Sequence, residues 1–274
     1  MRKPPIPLIG PPPSVASVRS VAPPPVHPGP HEEAVEAEYR RTLELAVQDN
    51  VERERGIKSL KVIAGDPKQP YVALTFDDGP HGDKTEKLLD RLKQLKVPAT
   101  FFVVGMQAQR YPSLVERMVL EGHEVGNHTY HHYRLTQIPL DEVAMELNHT
   151  RAVLWRILGG RTRLMRPPGG EYNNTIQKIA EREGYANILW SDDPADYKVG
   201  RTAGQVTSFV MRDLTPGGII LLHDGIEATY DALPSMIAQI RARKLNLVTV
   251  SELIERGGGL LKVRDNRISR TSAV

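Results

Sequence analysis

Two aspartates stand next to each other at the end of an apolar segment. Asp77 and Asp78 directly follow Tyr71–Phe76, and Gly79-Pro80 ends the segment with a turn. Neighbouring carboxylates repel each other, and burial makes the repulsion worse. A bound cation removes the difficulty, whereas a solvated Asp-Gly-Pro turn explains the pair without any chemistry. The pair alone does not decide between these interpretations.

Three of the nine histidines lie within five residues of one another, at positions 128, 131 and 132. Because His128 and His132 are four residues apart, we expect both on one face of a helical turn. Neutral imidazoles at this spacing are common metal ligands, while a single histidine is more often structural. The cluster therefore favours a metal site. With no cysteine in the chain, ligands must be histidines and carboxylates.

Ionisable residues also follow three later apolar segments. Arg166 precedes Pro167-Pro168-Gly169-Gly170, Asp192, Asp193 and Asp196 lie within five positions, and Leu221-Leu222 ends in His223-Asp224. Each group alone could be ordinary polarity at a strand end. In parallel β/α folds, however, the carboxyl ends of the strands meet at one mouth, where active sites lie. Together the five groups predict a metal set, a base, an orienting cation and an acid.

The elements that would position these groups alternate between strand and helix from Tyr71 onward. We predict strands at Tyr71–Phe76, Ala99–Val104, Glu124–Asn127, Leu164–Arg166, Asn187–Trp190, Gly218–Leu222 and Leu245–Val250. The predicted helices cover about 88–95, 140–154, 176–184, 203–214 and 233–242. About seven β-then-α units predict a parallel sheet buried by helices, closed as a distorted (β/α) barrel. A doubly wound open sheet is the alternative.

The remaining segments flank this domain, predicted at residues 67–256. Residues 1–30 hold 11 of the 22 prolines and predict an extended, disordered spacer. An apolar stripe over residues 32–56 predicts a helical extension within 31–66. Residues 257–274 begin with three glycines and predict a flexible basic tail. This tail accounts for the whole net charge of +3, so the composition gives no sign of a nucleic-acid-binding face.

In their order along the chain, the five groups resemble the motifs of the polysaccharide deacetylases with the NodB homology domain (carbohydrate esterase family 4). Thr75–Pro80 is similar to TFDDGP, His128–His132 to H-[ST]-x-x-H, and Arg166–Gly170 to the third motif. Asp193–Tyr197 resembles D-x-x-D-W, with Tyr197 where tryptophan is usual, and Leu221–Asp224 resembles LLHD. The resemblance covers about 190 residues and implies a distorted (β/α) barrel.

The resemblance also assigns roles, by motif. It implies that Asp78, His128 and His132 bind a divalent metal, usually zinc, with cobalt, nickel or manganese as alternatives. It makes Asp77 the general base, oriented by Arg166, and His223 the general acid, oriented by Asp196. It further implies that Leu222 lines the acetyl methyl pocket, that Tyr197 belongs to the substrate site around the His223 pair, and that a backbone N–H near Gly169 helps to hold the oxyanion. His131 would not be a ligand.

The function so predicted is removal of N-acetyl groups from a polysaccharide or oligosaccharide that contains N-acetylglucosamine, of the peptidoglycan or chitin type. The alternatives are O-deacetylation of a xylan-type glycan, or a glycan-binding module without catalysis. Such substrates predict an extracellular or cell-envelope location. The sequence contains no apolar run of about 18 residues, so we predict no transmembrane segment. The N-terminus shows no recognisable signal peptide.

Overall fold

The computed structural model describes residues 61–257. The predicted spacer at residues 1–30 lies outside the described residues, as do the helical stripe at 32–56 and residues 258–274 of the predicted tail. The predicted boundary between residues 66 and 67 is wrong. Lys61–Val62 form a strand that pairs in parallel with residues 187–188, and the Gly65 N–H donates to the Gly217 carbonyl at 2.7 Å. A two-residue strand is too short to produce a readable period.

Eight parallel strands build one sheet in the described part of the chain. They are β1 (Lys61–Val62), β2 (Tyr71–Asp77), β3 (Thr100–Val103), β4 (Glu124–Asn127), β5 (Leu164–Met165), β6 (Ala186–Ile188), β7 (Ile219–His223) and β8 (Asn246–Val248). Their order is β1-β6-β5-β4-β3-β2-β7, and β8 pairs with the first half of β2. Between the segment after β6 and strand β7 there is only an isolated bridge, from Asp192 to Ile220. The distorted barrel is confirmed, with incomplete closure.

Eight α-helices follow or flank these strands between residues 61 and 257. They are α1 (Asp83–Leu95), α2 (Gly105–Arg110), α3 (Pro112–Leu120), α4 (Leu140–Leu158), α5 (Asn174–Arg182), α6 (Ala203–Asp213), α7 (Glu227–Ala242) and α8 (Val250–Arg256). The five predicted helices are present, whereas α2, α3 and α8 were not predicted. These three have nine residues or fewer, which is too short for a clear helical period.

The alternation of side chains along β2 decides which residues can reach the barrel interior. Val72, Leu74 and Phe76 are buried in the cluster shared with the helices, and Ala73 belongs to a second cluster inside the sheet. Each such buried apolar side chain contributes about 1.5–3 kcal/mol relative to an exposed one. Because the period of a strand is two, Asp77 lies on the inner face at the carboxyl end of β2.

Candidate active site

Asp77 and Asp78 leave the end of β2 in different directions. Asp77 is the last strand residue, is 3% exposed, and accepts a hydrogen bond at Oδ1 from Arg166 at 2.7 Å. Asp78 has a positive φ of 76°, a left-handed conformation that aspartate tolerates better than most residues. The Asp78 carboxylate lies beside the histidine loop, with Oδ1 3.0 Å from His132 Nε2. Asp77 Oδ1 is instead paired with Arg166.

Three side chains form a group that can hold a metal ion: Asp78, His128 and His132. One ligand atom from each lies within 4.8 Å of the others. Asp78 Oδ1 lies 3.0 Å from His132 Nε2 and 3.4 Å from His128 Nε2. Donors placed tetrahedrally around zinc at its usual bond lengths are about 3.4 Å apart. Since Asp78 and His132 are partly exposed, further ligand positions are open to water and substrate.

The expected helical turn between His128 and His132 is wrong. Residues 128–132 are irregular, and both Thr129 and His132 have a φ of 64°. The Asn127 side chain fixes the start of this loop by accepting the Thr129 N–H at 2.8 Å. Left-handed residues fold the chain back on itself, so the two imidazoles meet without helical periodicity; their ring centroids are 4.9 Å apart.

The rings of His128 and His131 are held in opposite ways. His128 Nδ1 lies 2.8 Å from the Arg166 carbonyl, which fixes Nδ1–H as the donor and leaves Nε2 free for a metal. His131 Nδ1 instead lies 2.6 Å from Glu146 Oε1, and the His131 N–H also donates to Glu146. His131 is therefore engaged elsewhere and does not belong to the ligand group.

Burial and the neighbouring histidines act in opposite directions on Asp78. Burial raises the pKa of its carboxyl, while hydrogen bonds and electrostatic interactions with His128 and His132 lower it, and the net result is a lowered pKa. Asp78 is therefore ionised at neutral pH, as a metal ligand must be.

Arg166 is fully buried and links the base position to the sheet. Its guanidinium donates to Asp77, to Thr75 Oγ1 at 2.8 Å, and to the carbonyls of Ile188 and Leu189, each at 3.0 Å. Its Cζ also lies 4.1 Å from the centre of the Phe102 ring. Four acceptors around one planar cation fix its orientation, and the cation compensates the buried charge of Asp77.

A second ionised pair lies at the end of the adjacent strand β7, where His223 pairs in register with Asp77. His223 Nδ1 is 2.6 Å from Asp196 Oδ1, and the His223 N–H donates to Asp196 Oδ2 at 2.8 Å. Thr229 Oγ1 donates to the same carboxylate. Burial lowers the pKa of His223, but Asp196 and the carboxylates of Asp77 and Asp78 outweigh it and raise the pKa to about 9. His223 is therefore protonated at neutral pH.

Tyr197 takes the position beside this acid. Its ring is half exposed and meets the His223 ring edge-on, with centroids 5.1 Å apart. The substrate role of Tyr197 stays a prediction. Gly169 has a φ of 65° in the 3₁₀ turn Pro168–Gly170 after β5, and its part in an oxyanion site stays a prediction.

The predicted position of Leu222 in an acetyl pocket is wrong. Leu222 is 0% exposed, pairs in register with Phe76, and packs in the cluster between sheet and helices. Leu221 pairs instead with Thr75, whose hydroxyl reaches Arg166 on the inner face. The period of two therefore places Leu221, not Leu222, on the side of the site.

Sequence reasoning assigned no role to Asp224, yet this residue holds the turn after β2. Its N–H donates to the Asp77 carbonyl at 2.9 Å, and its side chain accepts hydrogen bonds from Thr85 Oγ1 and from Tyr230 Oη at 2.6 Å. A Cβ at Gly79 would lie 2.2 Å from Asp224 Oδ2, so only glycine fits there. The sequence signal for this role was the ionisable pair at positions 223–224, which directly follows an apolar run.

Of the three carboxylates after β6, only Asp196 joins the site. Asp192 is buried at the bridge to Ile220 with neither side-chain oxygen hydrogen-bonded. Burial, with smaller contributions from Asp213 and Asp193, raises its pKa to about 7. Asp193 is exposed and accepts the Ala195 N–H at 2.7 Å, which shapes the loop.

The chain is similar in sequence to a known protein family and to several known proteins. The family described as polysaccharide deacetylase matches residues 64–188. A peptidoglycan-N-acetylglucosamine deacetylase of Bacillus cereus is 36% identical over 196 residues, covering 70% of this chain and 71% of that protein. The peptidoglycan-N-acetylmuramic acid deacetylase PdaC of Bacillus subtilis is 39% identical over 190 residues, 69% of this chain but only 40% of that protein.

Among solved structures, the Bc1960 peptidoglycan N-acetylglucosamine deacetylase is similar to this fold with a TM-score of 0.69 and 35% identity. The match covers 71% of this chain and 92% of that one. The matched region therefore contains almost all of that crystallised chain.

Proposed function

The chain belongs to the polysaccharide deacetylase family, and on this premise we propose that it removes N-acetyl groups from a cell-wall glycan of the peptidoglycan type by metal-dependent hydrolysis. The observation that carries the proposal is the meeting of three groups: the Asp78–His128–His132 set, Asp77 beside it, and His223, which pairs in register with Asp77. Names of similar proteins support an N-acetylated peptidoglycan sugar as the substrate.

Three residues would hold a divalent cation, for which we propose zinc. Two imidazole nitrogens and one carboxylate oxygen are donors that zinc accepts, although cobalt, nickel and manganese accept them too. When bound, such an ion polarises the acetyl carbonyl and lowers the pKa of a water ligand from about 15.7 to about 7. His128 is pre-oriented for this by the Arg166 carbonyl.

Asp77 would accept the proton of the attacking water. Its Oδ1 is held by Arg166, while Oδ2 lies 3.7 Å from His128 Nε2 and so faces the ligand group. The paired guanidinium fixes the orientation of the carboxylate. General base catalysis by a positioned carboxylate contributes typically about 10²–10⁴-fold.

His223 would donate a proton to the leaving nitrogen. Because Nδ1 is bound to Asp196, Nε2 is the nitrogen that can donate towards the substrate. Water oxygen adds to the acetyl carbon, the C–N bond breaks, the sugar leaves as a free amine, and acetate is formed. An amine is a poor leaving group, so a histidine protonated at neutral pH suits an amide better than an ester.

The substrate also suggests where the protein acts. Peptidoglycan is a cell-wall polymer, and we therefore propose action at the cell envelope. None of the helices within residues 61–257 combines the length and the apolar character needed to cross a membrane.

An acetate-release assay on the full chain tests the proposal. The purified protein is stripped with a chelator, reloaded with zinc, and offered peptidoglycan, N-acetylglucosamine oligomers and acetylxylan. We expect zinc-dependent acetate release from the N-acetylated glycans, with little from acetylxylan. Asp77→Asn serves as control, because it should retain the metal and lose turnover. Equal acetate release by chelated and zinc-loaded protein, or glycan binding without any release, would refute the proposal.

A further inference from the structure

A cleft of about 710 Å³ opens beside the proposed metal site. Its lining includes Asp78, so the cleft begins at the ligand group itself. The opposite side is formed by the start of α1 with Lys84, by the end of α2 with Gln107 and Arg110, and by Tyr111. A glycan bound with one sugar at the metal would extend into this space with a neighbouring sugar.

Two cations line this cleft without a carboxylate partner among residues 61–257. Lys84 Nζ donates to the Gly225 carbonyl at 3.1 Å, which holds the ammonium at the cleft but does not neutralise it. The Arg110 guanidinium lies over the Tyr111 ring, 5.3 Å from its centre. Neither makes an ion pair within these residues, whereas the partly buried Arg117 of α3 pairs with Asp90.

The cleft also holds three carboxylates. Asp78 belongs to the ligand group, and Asp224 accepts hydrogen bonds from the neutral hydroxyls of Thr85 and Tyr230. Asp83, exposed at the first turn of α1, faces the same space and forms no ion pair within residues 61–257. The cleft therefore offers two cations that no carboxylate contacts directly, beside a phenol and an amide.

We propose that this cleft is a subsite for a carboxylate carried by the glycan next to the sugar that is deacetylated, with Lys84 and Arg110 as its specificity-determining residues. Tyr111 and Gln107 supply an apolar ring and an amide for the sugar itself. The inference rests on the proposed function and narrows its substrate. A polymer of N-acetylglucosamine is neutral and would leave both cations unpaired, whereas peptidoglycan strands carry carboxylates.

Two groups of peptidoglycan supply a carboxylate for such a subsite. One is the lactyl carboxylate of muramic acid in strands whose stem peptides have been removed, and the other is a carboxylate of the stem peptide. The assay therefore compares kcat/KM on peptide-free strands, on peptide-bearing strands and on neutral N-acetylglucosamine oligomers, all with zinc-loaded full-length protein. The variants are Lys84→Gln, Arg110→Gln and the double variant.

The quantity measured is the ratio of kcat/KM on a charged strand to that on the neutral oligomer. For the loss of two exposed ion pairs, the double variant should lower this ratio about 2- to 30-fold, and the loss should shrink as salt is added. The charge-conserving pair Lys84→Arg and Arg110→Lys should restore most of the ratio. Lys87→Gln, which removes an exposed charge of α1 outside the cleft, should leave the ratio unchanged.

The strand type with the larger loss identifies the source of the carboxylate. An unchanged ratio in the double variant, or an equal loss on charged and neutral substrates, would overturn the inference. If the wild-type protein releases no acetate from any substrate, the proposed function fails. The carboxylate subsite is then tested separately, by measuring glycan binding. Kd of the zinc-loaded protein for peptide-free strands should then still rise in the double variant, and an unchanged Kd would overturn the subsite.

Discussion

Replacing Arg166 with methionine is expected to destabilise the domain strongly, because it leaves a buried negative charge without compensation. Arg166 is 0% exposed and Asp77 is 3% exposed, so water cannot replace the lost guanidinium. The substitution also removes the donors to Thr75 Oγ1 and to the Ile188 and Leu189 carbonyls. Methionine is similar in length and apolar, which keeps cavity effects small.

The magnitude follows from the burial of both partners. Removing one partner of a buried ion pair costs about 3–5 kcal/mol. For a domain of this size, each kcal/mol lowers Tm by about 2–4 °C, so the expected decrease is about 6–20 °C. Replacing Asp77 with asparagine in the same protein removes the uncompensated charge. The double variant should therefore be more stable than Arg166→Met alone.

Scanning calorimetry on chelated protein measures these values without a contribution from bound metal. Arg161→Met is the matched control, because Arg161 is exposed just before β5, and its substitution should change stability by less than about 0.5 kcal/mol. Acetate release by Arg166→Met, measured well below its Tm, should be strongly reduced. A Tm within about 2 °C of wild type, or a double variant no more stable than Arg166→Met, would refute the argument.

Two further predictions concern the metal and the acid. Asp78→Ala should lose stoichiometric zinc as measured by elemental analysis, whereas His131→Ala should retain it, because His131 is bound to Glu146; equal zinc contents would contradict this ligand set. Asp196→Asn should shift the alkaline limb of the kcat–pH profile to lower pH, because Asp196 raises the pKa of His223 and the acid works only below that pKa. A limb that stays in place in this variant would remove Asp196 from that role.

Much of the site could be predicted because the topology of a parallel sheet decides where the carboxyl ends of its strands lie. Apolar runs of four to eight residues mark buried parallel strands, and all such strands expose their carboxyl ends on one side. Residues far apart in sequence, such as Asp77, Arg166 and His223, therefore had to converge once the strands were recognised. The structure brings them together with the histidine loop.

Other features depend on backbone detail that the sequence does not display. The His128–His132 spacing suggested a helix, but two positive φ values produce the same convergence in an irregular loop. Leu222 was misplaced because a shift of one residue along a strand exchanges its two faces, and the LLHD motif holds two adjacent leucines. Strand β1 contains only two residues and is fixed by its partner β6 rather than by its own pattern.

Arg166 connects a proposed metal ligand to the proposed general base. Its carbonyl accepts from His128 Nδ1 and thereby orients a metal ligand, while its guanidinium holds the base Asp77. The base and the ligand therefore share a support, and neither can move without disturbing the other. This arrangement explains how adjacent aspartates can have different tasks: the strand directs Asp77 to the arginine, and the left-handed turn directs Asp78 to the histidines. Precise placement of both groups relative to a bound water follows from that shared support.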